Sequence, residues 1–326
     1  MSEAGDYNPG PWKGYDFASA RKTYDVHVGR SYDDAVTSGK ARDDLVPKSL
    51  STDSESPLVI ACDVTGSMGE WPATIFSKLP YLDLEGQEYL GKGLEISFAA
   101  VGDCHSDQYP FQARPFTTGK GLEKELKELV IEGGGGGQIM ESYDLAALYY
   151  ARRVEIPKAI NPIFIFIGDE KLYDFISKDA AKEWARTSLE GRTSVASVIG
   201  ELKQKYSVYA VLKPYDVGRG DGMTSTNQEV HKAWADLLGE DHLAILPEAG
   251  RVVDVIFGIL AKETSRIDYF EEELKDRQKP AQVKTVLKSL ESIHTPPPKK
   301  SRKKLRSGTS RLSKHDGEGD DAEPLL

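Results

Sequence analysis

Leu58-Val59-Ile60-Ala61-Cys62-Asp63-Val64-Thr65-Gly66-Ser67-Met68 is the stretch that decides the fold. Small and apolar residues run straight into an acid, and two hydroxyls follow at alternate positions. A short apolar run without polar alternation is the pattern of a parallel strand covered on both faces. In open α/β sheets, ligands bind outside the carboxyl ends of such strands. This strand end offers Asp63, Thr65 and Ser67, all oxygen donors, which suit a hard divalent cation.

Working outward, the pattern recurs. Residues 94–101 form a second apolar run, ending in Gly102-Asp103. Residues 162–167 are the most hydrophobic run of all and end in Gly168-Asp169-Glu170. Further strands are expected at 207–212 and 242–246, and an edge strand at 111–117. Helical spacing marks 70–79, 121–131, 142–153, 174–187, 194–206, 226–239 and 251–262. Strands alternating with helices predict an α/β fold, a mainly parallel central sheet with helices on both faces.

Two later motifs complete a metal constellation. Five glycines, Gly133 to Gly137, precede Ser142-Tyr143-Asp144-Leu145-Ala146-Ala147-Leu148, and the apolar run to Ile167 delivers Asp169. Together with Asp63-Val64-Thr65-Gly66-Ser67, this set resembles the metal-ion-dependent adhesion site of the von Willebrand factor A (vWA) family. The resemblance spans residues 56–263 and implies a Rossmann-like domain with Asp63, Thr65, Ser67, Ser142 and Asp169 as metal ligands. It implies Mg²⁺, with Mn²⁺ or Ca²⁺ as substitutes, and one open coordination position that a carboxylate of a protein partner fills. Three departures are visible. Thr65 and Ser142 replace Ser and Thr, Gly168 replaces a Thr beside the acid, and residues 138–141 lengthen the loop so that Glu141 competes with Ser142 as ligand. The Gly-rich loop with Glu141-Ser142-Tyr143 and the Tyr-rich N-terminal extension look more like stand-alone microbial or phage proteins of the family than like animal adhesins. That likeness implies a non-enzymatic adaptor working with an AAA+ ATPase of the MoxR class. A Mg²⁺-dependent hydrolase of phosphate esters and a structural or assembly component are the alternatives. The acid-ending strand also resembles that of haloacid dehalogenase-type enzymes, but Thr65 stands where those need a second acid.

Composition bounds the rest. The chain has 326 residues, 39% hydrophobic and 29% charged. With 42 basic against 52 acidic residues its formal charge is −10, which argues against a general nucleic-acid binder. Two cysteines exclude a disulfide framework and suit a reducing, cytoplasmic setting. Met1 to Asp6 carries no signal-peptide pattern, and no apolar run approaches the ~20 residues of a membrane helix.

Four segments are expected. Residues 1–55 form an N-terminal arm and helical extension, with Phe17, Tyr24, Val28 and Tyr32 on one side, closing in a polar linker over 39–57. Residues 56–263 form the vWA-type domain. A C-terminal helical segment covers 264–294, where Val283, Leu287, Leu290 and Ile293 recur at helical spacing after Pro280. Residues 295–326 are Pro-rich, then basic, then acidic, the composition of a disordered tail. Lys299 to Arg306 allows at most weak contacts with nucleic acid or other polyanions.

The remaining motifs read as ordinary structure. The glycine run lacks the Lys-Ser or Lys-Thr of a phosphate-binding loop. Cys62 and Cys104, near His105, raise zinc or redox use, but without CxxC spacing they read as inert thiols. Asp103, His105 and Asp107 read as a solvated loop beside the metal face. Arg219-Gly220-Asp221 reads as a flexible turn.

Overall fold

Every residue of Ser56–Asp63 is buried in the computed structural model, as a strand covered on both faces requires. The structure describes Lys22 and residues 41–131, 139–215 and 223–296. Apart from Lys22, residues 1–40 of the N-terminal arm and extension lie outside the described residues, as do the five glycines, the Arg219-Gly220-Asp221 tripeptide and residues 297–326 of the tail.

Six strands make the central sheet: β1 (Ser56–Asp63), β2 (Leu94–Val101), β3 (Phe111–Ala113), β4 (Ile163–Gly168), β5 (Ser207–Leu212) and β6 (Leu243–Ile245). Their spatial order is β6-β5-β4-β1-β2-β3. All neighbours run parallel except β2 and β3. The fold is therefore the expected α/β class, a mostly parallel sheet flanked by helices. Alternate residues of β1 feed separate cores: Leu58, Ile60 and Cys62 face one, Val59 and Ala61 the other. Each fully buried Leu, Ile or Val contributes roughly 1.5–3 kcal/mol.

The topology fixes where a ligand fits. From β1 the chain steps outward through β2 to β3, then returns to the other side of β1 as β4 and steps outward through β5 to β6. The winding reverses between β1 and β4. A crevice opens at such a switch point, outside the carboxyl ends of the strands. Cys62 pairs with Ile167 in register, so Asp63 and Asp169 leave the sheet side by side.

Several boundaries differ from the sequence reading. The stretch read as a polar linker is docked: Leu50–Ser51 pairs in parallel with Val154–Glu155, and Thr52, Ser54 and Ser56 are buried. Their hydroxyls explain why polarity misleads there, since each finds a partner (Glu95, the Gly93 carbonyl and the Leu90 carbonyl). A helix at Leu79–Leu90, absent from the sequence reading, follows Trp71–Ser77 directly. The C-terminal segment is two helices, Ile267–Arg277 and Pro280–Ser289, packed on the domain's last helix, Val252–Glu263. Pro280 starts the second of them, a position where its missing N–H costs nothing. Leu290 presses against Gly258, where a Cβ would overlap it. Among the described residues, no helix is long and apolar enough to cross a membrane.

Candidate metal centre

Asp63 ends β1 with no solvent exposure. Val64 extends the ladder by donating its N–H to the Val101 carbonyl, at 3.0 Å. The chain then turns. Thr65 donates both its N–H (2.8 Å) and its hydroxyl (2.6 Å) to Asp63 Oδ1. A single helical turn at Gly66–Met68 brings the Ser67 hydroxyl within 3.2 Å of that of Thr65. Gly69, at φ +54°, then redirects the chain into the helix Trp71–Ser77. Ser67 Oγ donates to Asp169 Oδ1 at 3.0 Å, closing the cluster across the switch point.

Four of the five predicted ligands thus meet: Asp63, Thr65, Ser67 and Asp169. Ser142 stands differently. Its hydroxyl accepts the N–H of Cys104 at 2.9 Å, while its own N–H donates to the Gly102 carbonyl. The neighbouring Glu141 is 2% exposed, and its Oε2 has no hydrogen-bond partner. Glu141 sits on the two-residue strand Met140–Glu141, which pairs with Lys171–Leu172 just after Asp169. Of the two competing ligands, Glu141 is therefore the one with a donor oxygen to spare.

Charge in this pocket is far from balanced. Burial first, then the Asp169 charge, pushes the Asp63 carboxyl up to about 7, against the opposing bonds from Thr65 and Tyr143. Burial, followed by Asp63, Glu170, Asp107 and Asp103, raises Glu141 to about 11. Glu170, buried and with an orphaned Oε2, rises to about 8 through burial and then the charges of Asp63, Asp169 and Asp103. Among the described residues, Lys213 is the cation that meets these acids: it donates to Asp169 Oδ2 at 2.7 Å and to the Ser67 carbonyl at 2.9 Å. Buried carboxylates are normally paired or bound to metal. Orphaned oxygens, and carboxyls that burial and mutual repulsion hold in the protonated form, fit a site whose ionised state a hard divalent ion would complete.

The sequence reading missed Tyr143. Its hydroxyl donates to Asp63 Oδ2 at 2.7 Å, and its ring packs edge-on against Phe166 and Trp234. A Cβ at position 168 would overlap that hydroxyl. Gly168, which departs from the vWA-type pattern, is thus the space Tyr143 occupies. Lys213 and Glu170 were also passed over. The signal for Lys213 was its position one residue beyond β5, since Gly168 pairs with Leu212.

No protein-family model matches the chain, and no curated protein does. Two crystal structures of the pilus adhesin SpaC from Lactobacillus rhamnosus GG, one in an open conformation, are similar at 11% identity and a TM-score of 0.42. The matches cover 70% and 69% of this chain and 31% of each adhesin, so the chain spans about a third of the adhesin's length.

Proposed function

We propose that this chain is a divalent-cation-dependent protein-binding module of the vWA type. The observation that carries the reading is the convergence of Asp63, Asp169 and Glu141 at the switch point, with an orphaned oxygen and one lysine as counter-charge. Asp63, Thr65, Ser67 and Asp169 would hold the ion, with Glu141 ahead of Ser142 as the donor from the glycine-rich loop. Mg²⁺ suits this all-oxygen set, with Mn²⁺ or Ca²⁺ as substitutes. Once bound, the ion supplies an electrophilic point to which a partner's carboxylate attaches.

The chain's own residues prepare that point. Thr65 and Tyr143 fix both oxygens of Asp63, and Ser67 fixes Asp169. Lys213 holds Asp169 from the other side and moderates the negative field. In the cell the module would act in the cytoplasm as an adaptor, and an AAA+ ATPase of the MoxR class is the partner type that the vWA resemblance supports.

The test is capture of host proteins by the purified chain with and without Mg²⁺, using wild type and Asp63→Ala side by side. A partner retained only by wild type in Mg²⁺ supports the module. Identical retention in all four conditions overturns it. A second reading, a Mg²⁺-dependent phosphate-ester hydrolase, rests on Glu170, a buried carboxyl held up to about 8 beside the acids and so protonated at neutral pH, as a general acid for the leaving group must be. Turnover of p-nitrophenyl phosphate that vanishes with EDTA and in Glu170→Gln would favour it.

A further inference from the structure

The loop after β2 gathers Asp103, Cys104 and His105. A carboxylate oxygen, the thiol sulfur and an imidazole nitrogen lie within 4.8 Å of one another. None of these residues belongs to the cation set at Asp63 and Asp169. The loop is braced from several sides. Asp103 Oδ1 accepts the His105 N–H at 3.1 Å and the Tyr173 hydroxyl at 2.8 Å, and Oδ2 accepts the Ser106 hydroxyl at 3.1 Å. Cys104 is tied by its N–H to Ser142, and the Tyr173 ring stands edge-on to His105 at 5.0 Å.

A further buried carboxyl stands nearby, in the first turn of the helix Tyr143–Arg152. Asp144 is 2% exposed, and its Oδ1 has no hydrogen-bond partner. It stands two residues after Ser142, whose hydroxyl accepts the Cys104 N–H at 2.9 Å, and its charge bears on both Asp103 and Cys104. An unpartnered buried carboxylate oxygen on the helix next to this loop needs an explanation that packing does not supply.

We propose that Asp103, Cys104, His105 and Asp144 form a second metal site, which takes a borderline-soft divalent cation, Zn²⁺, through one nitrogen, one sulfur and two oxygens. Sulfur and imidazole select Zn²⁺ over Mg²⁺ or Ca²⁺, whereas the oxygen-only set at Asp63 selects the reverse. Zn–ligand bonds of about 2.0–2.3 Å place tetrahedral donors roughly 3.3–3.8 Å apart, so Asp103, Cys104 and His105, within 4.8 Å of one another, must close by about 1 Å, and Asp144 must swing in to complete the set. His105, which is exposed, has the room to turn inward. As the Zn–S bond forms, the S–H bond breaks and the proton leaves to solvent; nothing is oxidised or reduced. The ion would also anchor the Glu141-Ser142 turn from behind, since Ser142 is bonded to Cys104.

Co²⁺ titrated into EDTA-stripped protein tests the proposal, because a thiolate–cobalt charge-transfer band reports sulfur ligation directly. The expected result is one equivalent of Co²⁺ giving that band together with tetrahedral d–d absorption. Zn²⁺ should erase both, and a large excess of Mg²⁺ should leave them. Cys104→Ser should lose the band although Cys62 remains. Asp144→Asn and the exposed-residue variant His105→Asn should each weaken Co²⁺ binding about tenfold or more. Asp63→Ala should keep the band, which separates this site from the module reading. Absence of the band in folded wild type overturns the proposal, as does its persistence in Cys104→Ser or unchanged affinity in both His105→Asn and Asp144→Asn.

Discussion

Asp63→Asn should stabilise the metal-free protein at neutral to alkaline pH, even though it alters the residue on which the candidate site is centred. The carboxyl's folded value of about 7 exceeds its ordinary 3.8, because burial and then Asp169 disfavour the charged form. A raised carboxyl binds its proton more tightly in the folded state. Its contribution is therefore complete below pH 3.8 and drains away as pH climbs toward 7. The rise from 3.8 to about 7, at ~1.4 kcal/mol per tenfold change in proton affinity, amounts to ~4 kcal/mol once titration is complete. Asparagine carries no such proton. It does weaken the bonds from Thr65 and Tyr143, but that cost is nearly the same at every pH. The stability gap between the Asp63→Asn variant and wild type should thus widen by ~3 kcal/mol between about pH 5 and pH 8, the share of the titration lying in that interval. For a domain of this size that is a relative melting shift of roughly 6–12 °C. Melting followed by circular dichroism in EDTA at both pH values measures it. In Mg²⁺ at the higher pH, wild type should recover by about 3 kcal/mol at hundredfold excess over Kd, and the variant should not. A gap that stays constant with pH, or equal Mg²⁺ stabilisation of both proteins, would refute the reasoning.

Two further predictions follow from the residues around the acids. Lys213→Met removes the ammonium that lies against Asp169, so Mg²⁺ affinity measured calorimetrically should rise about tenfold, whereas a purely structural lysine would leave it unchanged. Gly168→Thr forces a side chain into the Tyr143 hydroxyl and should cost ~1–3 kcal/mol in urea unfolding, and pairing it with Tyr143→Ala should recover part of that loss.

The central sheet was legible because its strands are buried on both faces, and β1, β4 and β5 carry apolar runs that alternation with helices then orders. Asp63 and Asp169 were legible for the same reason, as acids at the ends of such runs. Tyr143 was not, because a tyrosine in the first turn of an apolar helix looks like core until Gly168 is placed opposite it. The choice between Glu141 and Ser142 was equally hidden. Adjacent residues point apart, and only the bond from Cys104 to Ser142 shows which way the serine faces. The docked segment at 50–56 was obscured by its hydroxyls, which sequence polarity counts as exposed but which are buried and bonded. The helix Leu79–Leu90 mixes Asp83, Glu85 and Glu88 with its apolar residues, and Asp83 and Glu85 are buried through partners far along the chain, Thr118 and Arg277.

The central claim is that Asp63 and Asp169 hold a hard cation, and Mn²⁺ binding followed by electron paramagnetic resonance tests it most directly. Stripped protein should take up one Mn²⁺ that Mg²⁺ displaces, and Asp63→Ala and Asp169→Ala should each abolish uptake while keeping the wild-type far-ultraviolet dichroism. Uptake by folded Asp63→Ala equal to that of wild type would contradict the account.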